Sequence, residues 1–187
     1  NWVKLICGAS NQDLSSIGDL CAVYATAGVH CIDVAADPAV VFAARQALDW
    51  VQKTQGNRPW LMISLNDGKD EHFRKAWFDP KRCPLECPRP CQKACPVRAI
   101  SRVSGINSKR CYGCGRCLPL CPLGLIKEKE HQIDLKDFAP LLSELRPDAI
   151  EIHTAPGRSK EFQATVKEII SSNVSFKRVS VSCGLEG

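Results

Sequence analysis

No stretch of this 187-residue sequence approaches the ~18 consecutive apolar residues that a membrane-crossing helix needs. The segment after the first apolar run reads CGASNQD, so the glycine-rich turn of a dinucleotide site is missing. No nucleophile–base pair and no organic-cofactor motif stands out. Aromatics at regular spacing, the mark of a nucleic-acid stacking platform, are lacking too. A hydrophobic content of 44% with 24% charged residues excludes a disordered tail. No signal-peptide pattern opens the sequence, and because it begins at Asn1 and not Met we expect that something upstream has been removed or left out, with a targeting segment as one open candidate.

Acidic residues are scarce in one place. Between Arg74 and Arg116 stand 11 Lys and Arg against only Asp79 and Glu86, a local net of +9, whereas the remainder nets −4. A basic patch is one footprint of nucleic-acid binding. A local cause competes with it: a four-iron cluster on four thiolates carries about −2, and two of them put about −4 into this segment. We therefore read the belt (Arg74, Lys81, Arg82, Arg89, Lys93, Arg98, Arg116) as cluster electrostatics and a dock for an acidic partner, not for nucleic acid.

Cysteine is what the sequence has in excess. Of 12 cysteines, eight lie between Cys83 and Cys121, and Cys7, Cys21, Cys31 and Cys183 are scattered. A secreted disulfide scaffold would spread its cysteines along a coreless chain. Clustering inside an ordinary fold points to metal and a reducing compartment. Cys111, Cys114, Cys117 and Cys121-Pro122 follow C-x2-C-x2-C-x3-C-P, the bacterial ferredoxin run, with Gly113 and Gly115 letting the loop curl. Cys83, Cys87, Cys91 and Cys95-Pro96 use three-residue spacers throughout. The runs still align, because CPVRAI at Cys95 recurs as CPLGLI at Cys121, 26 residues later. The fourth cysteine of each such run ligates the other cluster. The spacing thus assigns Cys83, Cys87, Cys91 and Cys121 to one 4Fe-4S cluster, and Cys111, Cys114, Cys117 and Cys95 to a second. The competing reading is two four-thiolate zinc sites, which normally use paired C-x2-C knuckles.

Around this window strands alternate with helices. Trp2–Cys7 reads as a buried strand; Leu14, Ile17, Cys21 and Tyr24 or Ala25 mark a helix stopped at Gly28. Val29–Val34 is a second strand, and Asp37-Pro38 starts a helix through Val41, Ala44, Leu48 and Val51 to Gly56. Pro59–Leu65 is a third. After the window Asp137 is expected to cap a helix through Leu141, Leu142 and Leu145. Ala149–His153 is a fourth strand, Ser159 caps a helix carrying Phe162, Val166, Ile169 and Ile170, and Lys177–Val181 is a fifth. The fold class is therefore α/β: parallel βα units forming a partial TIM-type barrel, with an inserted two-cluster ferredoxin-like module. An open doubly wound sheet is the alternative. The domain plan is a first scaffold part over 1–72, the module over 73–130 and a second scaffold part over 131–187. The chain stops right after a strand, so its C-terminus is expected to be truncated. Cys7, Cys21 and Cys31 read as small buried hydrophobes, and Cys183 as a small residue filling the barrel.

FDPKRCPLECPRPCQKACPVRAI, CYGCGRCLPLCPLGLI, GVHCIDVAADPAVV and EIHTAPGR together resemble the light-dependent period family of cyanobacteria and its chloroplast relatives, over Trp2–Gly187. The resemblance implies an iron–sulfur protein that senses cellular redox state and, in cyanobacteria, informs the circadian clock. It also implies sensitivity to the plastoquinone pool, hence a quinone as a further ligand, and location in the cyanobacterial cytoplasm or chloroplast stroma. Three functions are weighed. One is a redox sensor read by a protein partner or larger complex, reaching membranes only through partners. Another is an electron-transfer subunit. The third is an iron–sulfur oxidoreductase with a barrel-mouth ligand site at Asp33, Glu151, His153 and Arg158. For those four residues a self-satisfied Asp–His contact in the barrel interior competes. No catalytic residue is assigned.

Overall fold

The computed structural model describes residues 2–7, 13–68 and 73–184. In chain order these form β1 (Lys4–Ile6), α1 (Leu14–Thr26), β2 (Cys31–Ala35), α2 (Pro38–Gln55) and β3 (Trp60–Asn66). Then come β4 (Arg74–Trp77), α3 (Pro90–Ala94), β5 (Ile100–Ser101), β6 (Gly105–Ile106) and β7 (Lys127–Glu130). The chain ends with α4 (Phe138–Leu145), β8 (Ala149–Thr154), α5 (Ser159–Ser171) and β9 (Arg178–Cys183). Two compact units result: Asn1–Gly8, Leu14–Asp70 and Gln132–Gly187 make the first, and Ala9–Asp13 with Glu71–His131 the second.

The first unit carries one parallel sheet in the order β1-β2-β3-β8-β9. This order never reverses. A doubly wound sheet needs a reversal, whereas one-way winding with crossovers of one hand keeps the helices on one face and curls the sheet as a half-barrel. One face carries Ile32, Val34, Leu61, Ile63, Leu65, Ile150 and Ile152, all buried. The register aligns Lys4 with Cys31, Ala35 with Ser64, and Ser64 with Glu151. Lys4, Asp33, Ser64, Glu151 and His153 consequently share the opposite face.

Local chemistry sets the ends of α2. Asp37 accepts a hydrogen bond from the Ala39 N–H at 3.0 Å, Pro38 fills the first turn, and Gly56 closes the helix at φ 76°. The apolar stripe Val40, Val41, Ala44, Leu48 and Val51 is buried as its spacing predicts. Several sequence expectations need correction. The first strand is an edge of three residues in which Ile6 is 66% exposed, not a buried run. Asp137 makes no side-chain cap, because a 3-10 turn from Leu135 already leads into α4. Ser159 is the first residue of α5 and Arg158 precedes it; Thr165 and Ile169 are buried there, whereas Ile170 is exposed.

In the second unit β4 pairs antiparallel with β7, Trp77 opposite Lys127, which brings the two ends of the segment together. The Lys129 ammonium lies 3.4 Å from the Trp77 ring centre. A small buried cluster of Phe78, Cys91, Ile100, Cys117 and Ile126 forms the interior. Among the described residues no helix is long and apolar enough to cross a membrane.

Candidate functional site

The eight clustered cysteines sort into two sets of four. Cys83, Cys87, Cys91 and Cys121 line one cavity, walled by Phe78, Ile100, Leu125 and Ile126. Cys95, Cys111, Cys114 and Cys117 line another, walled by Ala76, Val97, Ile106 and Tyr112. Each set takes three thiols from one run and its fourth from the other.

The repeat seen in the sequence recurs in the backbone. Arg98 and Gly124, equivalent in CPVRAI and CPLGLI, both adopt left-handed conformations, with φ 50° and 58°. That turn aims the Ala99 N–H at Cys95 Sγ (3.2 Å) and the Leu125 N–H at Cys121 Sγ (3.3 Å). Glycine suits such a turn; Arg98 holds it against the preference of an L-residue. Gly113 and Gly115 are left-handed as well, at 84° and 72°, and curl the CYGCGRC loop.

The electrostatics of these thiols call for positive charge. Burial, followed by the neighbouring Cys111 and Cys114, pushes Cys117 up to about 12. Cys91 is also raised, by burial and by Cys121, Cys87 and Cys83, against a backbone N–H at Gln92. Cys121 moves the other way: burial raises it, but backbone N–H groups at Leu125, Leu123, Ile126 and Gly124 together hold it below the usual thiol value. Four convergent thiols, of which burial raises Cys91 in one set and Cys117 in the other, are a donor set suited to a multi-iron centre, which supplies the missing positive charge. One further group fits such an occupant. Arg89 borders the first cavity, and its Nε is buried with no hydrogen-bond partner among the described residues.

Three of the four residues proposed for the barrel mouth do come together. Ligand atoms of Asp33, Glu151 and His153 lie within 4.8 Å of one another. Sequence reasoning missed the residues that organise them. Lys4 Nζ donates to Asp33 Oδ2 at 3.1 Å and to Glu151 Oε2, and Ser64 Oγ donates to Asp33 Oδ1 at 2.7 Å. His153 Nε2 stands 3.7 Å from Glu151 Oε1. The carboxylates thus find their cation in Lys4 and not in an Asp–His contact. The signal for Lys4 was available: a lone lysine in WVKLIC, in register with the strand carrying Asp33. Burial raises Asp33 despite the hydrogen bond from Ser64 and the charge of Lys4. Arg158 does not join this group, because it pairs with the fully buried Asp67 at 3.4 Å, which also accepts from Thr154 Oγ1.

Cys7, Cys21 and Cys31 are buried as expected, and burial, with Asp33 second, pushes Cys31 up to about 12. Cys183 is exposed at the end of β9. In the basic belt, Arg74 faces Glu128 at 3.7 Å and Arg116 pairs with Asp13, while Lys81, Arg82, Lys93 and Arg98 are exposed.

Residues 83–132 match the model of the LdpA Fe-S cluster-binding domain, and residues 141–187 that of the Light dependent period A C-terminal domain. Light dependent period A of Synechococcus elongatus is 51% identical over 184 residues, 98% of this chain and 52% of that protein. The chain therefore spans about half the length of this curated relative. An uncharacterized protein of Haemophilus influenzae is 46% identical over 43 residues, 23% of this chain and 25% of its own length. Cysteine runs, half-barrel scaffold and both family models agree: this chain, with its iron–sulfur cluster-binding domain, belongs to the light-dependent period protein family.

Proposed function

We propose that the protein holds two 4Fe-4S clusters in a ferredoxin-like module and acts as a redox sensor whose oxidation state a protein partner reads, as light- and redox-dependent input to a circadian clock. One cluster takes Cys83, Cys87, Cys91 and Cys121; the other takes Cys111, Cys114, Cys117 and Cys95. The observation that carries this reading is the exchange of the fourth thiol between the two runs, reproduced in the linings of both cavities. The light and clock element comes from kinship with Light dependent period A.

When bound, each cluster supplies a site that gains or loses one electron. The chain does the rest. Ala99 and Leu125 donate backbone N–H bonds to Cys95 and Cys121, and the N–H groups around Cys121 hold its thiol below the usual value. Phe78, Ile100 and Ile126 wall the first set on its apolar side, where Cys91 is buried, and lower the local dielectric there. The exposed Lys and Arg of the belt present a positive surface to an acidic partner, and attraction of that kind weakens with salt. A reducing compartment follows from free thiolate ligands. A quinone ligand rests on the family resemblance alone.

Iron and acid-labile sulfide analysis under anaerobic conditions tests the cofactor, with about eight of each per chain expected for two such clusters. Cys121→Ser then tests the crossing. It should disturb the cluster of Cys83, Cys87 and Cys91 and spare the spectrum of the other. The opposite pattern would reject the exchange, and zinc in place of iron would reject the centre. Partner affinity measured on oxidised and reduced protein separates sensor from relay, since equal affinities with fast electron throughput fit only the relay.

A further inference from the structure

The two thiol sets differ in the charges beside them. The cavity of Cys83, Cys87, Cys91 and Cys121 is bordered by Arg89 and Arg102. Around the other set, Arg116 is the single cation among the described lining residues. Arg116 is already compensated: it pairs with Asp13, which also accepts a hydrogen bond from Tyr112 Oη at 3.2 Å.

Among the described residues Arg89 has no such carboxylate. Its Nη2 donates to the Leu85 carbonyl at 3.2 Å, and its buried Nε meets no acceptor among the described residues. A guanidinium nitrogen can only donate, and leaving a buried donor unsatisfied costs about 1–3 kcal/mol or more when charged. The acceptors this cavity offers are sulfur atoms. The backbone adds an independent sign. Arg89 sits at φ 48°, left-handed and directly before Pro90, although a residue preceding proline is pushed toward extended backbone. Arg89 also lies in the Pro-Arg-Pro spacer, one residue wider than the Gly-Arg spacer between Cys114 and Cys117. The widened, strained spacer thus presents a guanidinium to the thiol set.

We propose that Arg89 sets the potential of the cluster on Cys83, Cys87, Cys91 and Cys121: its Nε–H donates to a sulfur there, and its charge makes this cluster the easier of the two to reduce. The inference rests on the iron–sulfur reading above and adds the order in which electrons fill the pair. Reduction adds one negative charge to a cluster, and a nearby cation with an N–H···S bond stabilises that form over the oxidised one. Arg116, tied to Asp13, stabilises the reduced form of its neighbour less.

The test is an EPR-monitored titration of the anaerobic holoprotein, with dithionite as electron donor. Two one-electron waves are expected. Arg89→Gln should move the higher wave to lower potential by roughly a tenfold change in the reduction equilibrium, which is about 59 mV for one electron, and leave the lower wave in place. Arg89→Lys, which retains the charge, should recover part of the shift. Asp13→Asn should release Arg116 and move the lower wave upward. Full iron content in Arg89→Gln with both waves unmoved, or with only the lower one moved, would overturn the proposal. If Arg89→Gln does not assemble, Asp13→Asn decides, since an unmoved lower wave removes the claimed inequality. Wild-type protein lacking iron and sulfide altogether would defeat the iron–sulfur reading itself, an outcome distinct from these.

Discussion

The sheet unit and the cysteine unit are stabilised in different ways. In the sheet unit, Ile32, Ile63, Leu48, Leu142, Ile150 and Phe138 are essentially removed from water, and elements of five to eighteen residues carry them. At about 25 cal/mol per Å² of apolar surface buried, such a core drives folding without assistance. In the cysteine unit the helix α3 has five residues, β5 and β6 have two each, and two of the five buried cluster members are cysteines. A segment of this size seldom gathers enough apolar burial alone and needs a disulfide or metal staple. The contrast teaches that one chain uses two stabilising agents: solvent exclusion in the scaffold, ligand bonds in the insert.

The largest expected effect breaks the insert and spares the scaffold. Removing iron from the holoprotein under anaerobic conditions should collapse hydrogen-exchange protection across 74–130, since cluster binding is folding free energy there. Protection in α2, β3 and β8 should persist. Equal loss in both units would erase the contrast, and full retention in both would show that the insert has a sufficient core of its own.

The same contrast decides what could be read from sequence. Periodicity and apolar runs are written by solvent exclusion, so the apolar stripe of α2 and the buried runs of β3 and β8 were legible, and parallel pairing followed from the alternation of strands with helices. The two cysteine runs and their 26-residue repeat were legible as well, because spacing along the chain needs no tertiary contact to be seen. Edges were not. Trp2–Cys7 looks like a buried strand because nothing in its composition says that it lies at the rim of the sheet, where Ile6 is exposed. Lys4 was overlooked for a related reason. Its partners Asp33 and Glu151 come from strands 29 and 147 residues away, and only the register unites them. Arg158 was misassigned because Asp67, its actual partner, sits at the end of β3 among residues that read as a polar turn.

A middle-sized effect sharpens the comparison inside the scaffold, where one buried site depends on charge rather than on apolar burial. Lys4→Met leaves Asp33 and Glu151 without their cation, and breaking a buried pair this way costs about 3–5 kcal/mol. The part-exposed edge position of Lys4 puts the expectation near the lower bound. The pH dependence has a definite sign. For Lys4 burial lowers the value, but hydrogen bonds and charges from Glu151 and Asp33 win and raise it above 10.5. Its contribution is therefore complete below that pH and fades as pH climbs through the raised value. In Lys4→Met the deficit should shrink on acidification, because Asp33, already raised by burial above the usual 3.8, takes up a proton and sheds its uncompensated charge. Urea titrations of variant and wild type at pH 5 and pH 8 check this; a deficit that grows toward pH 5 would show that the cluster is not held by Lys4. Iron content should be unchanged.

The smallest expected effect lies at a single helix end, where one cap hydrogen bond from a buried carboxylate is at stake and no ligand bond is involved. Asp37 has extended backbone, φ −118° and ψ 129°, and its carboxylate accepts the Ala39 N–H at 3.0 Å, so it satisfies one of the donors that open α2. Removing such a cap costs about 0.5–2 kcal/mol, typically near 1. Pro38 remains in Asp37→Ala and keeps the first turn pre-set, so the loss falls on the side chain's own interactions, the cap hydrogen bond and the carboxylate's attraction to the helix dipole among them. Asp37→Asn should recover most of it, because an amide oxygen still caps while the charge is gone. The difference between the two variants isolates the dipole part, and raising the salt concentration should close it. Both variants should lower the unfolding midpoint of the sheet unit and leave the iron–sulfur spectrum as it was. A cap mutation that altered the cluster spectrum would contradict the division of labour argued above, because it would mean that the insert depends on the scaffold's helix ends as well as on its own ligands.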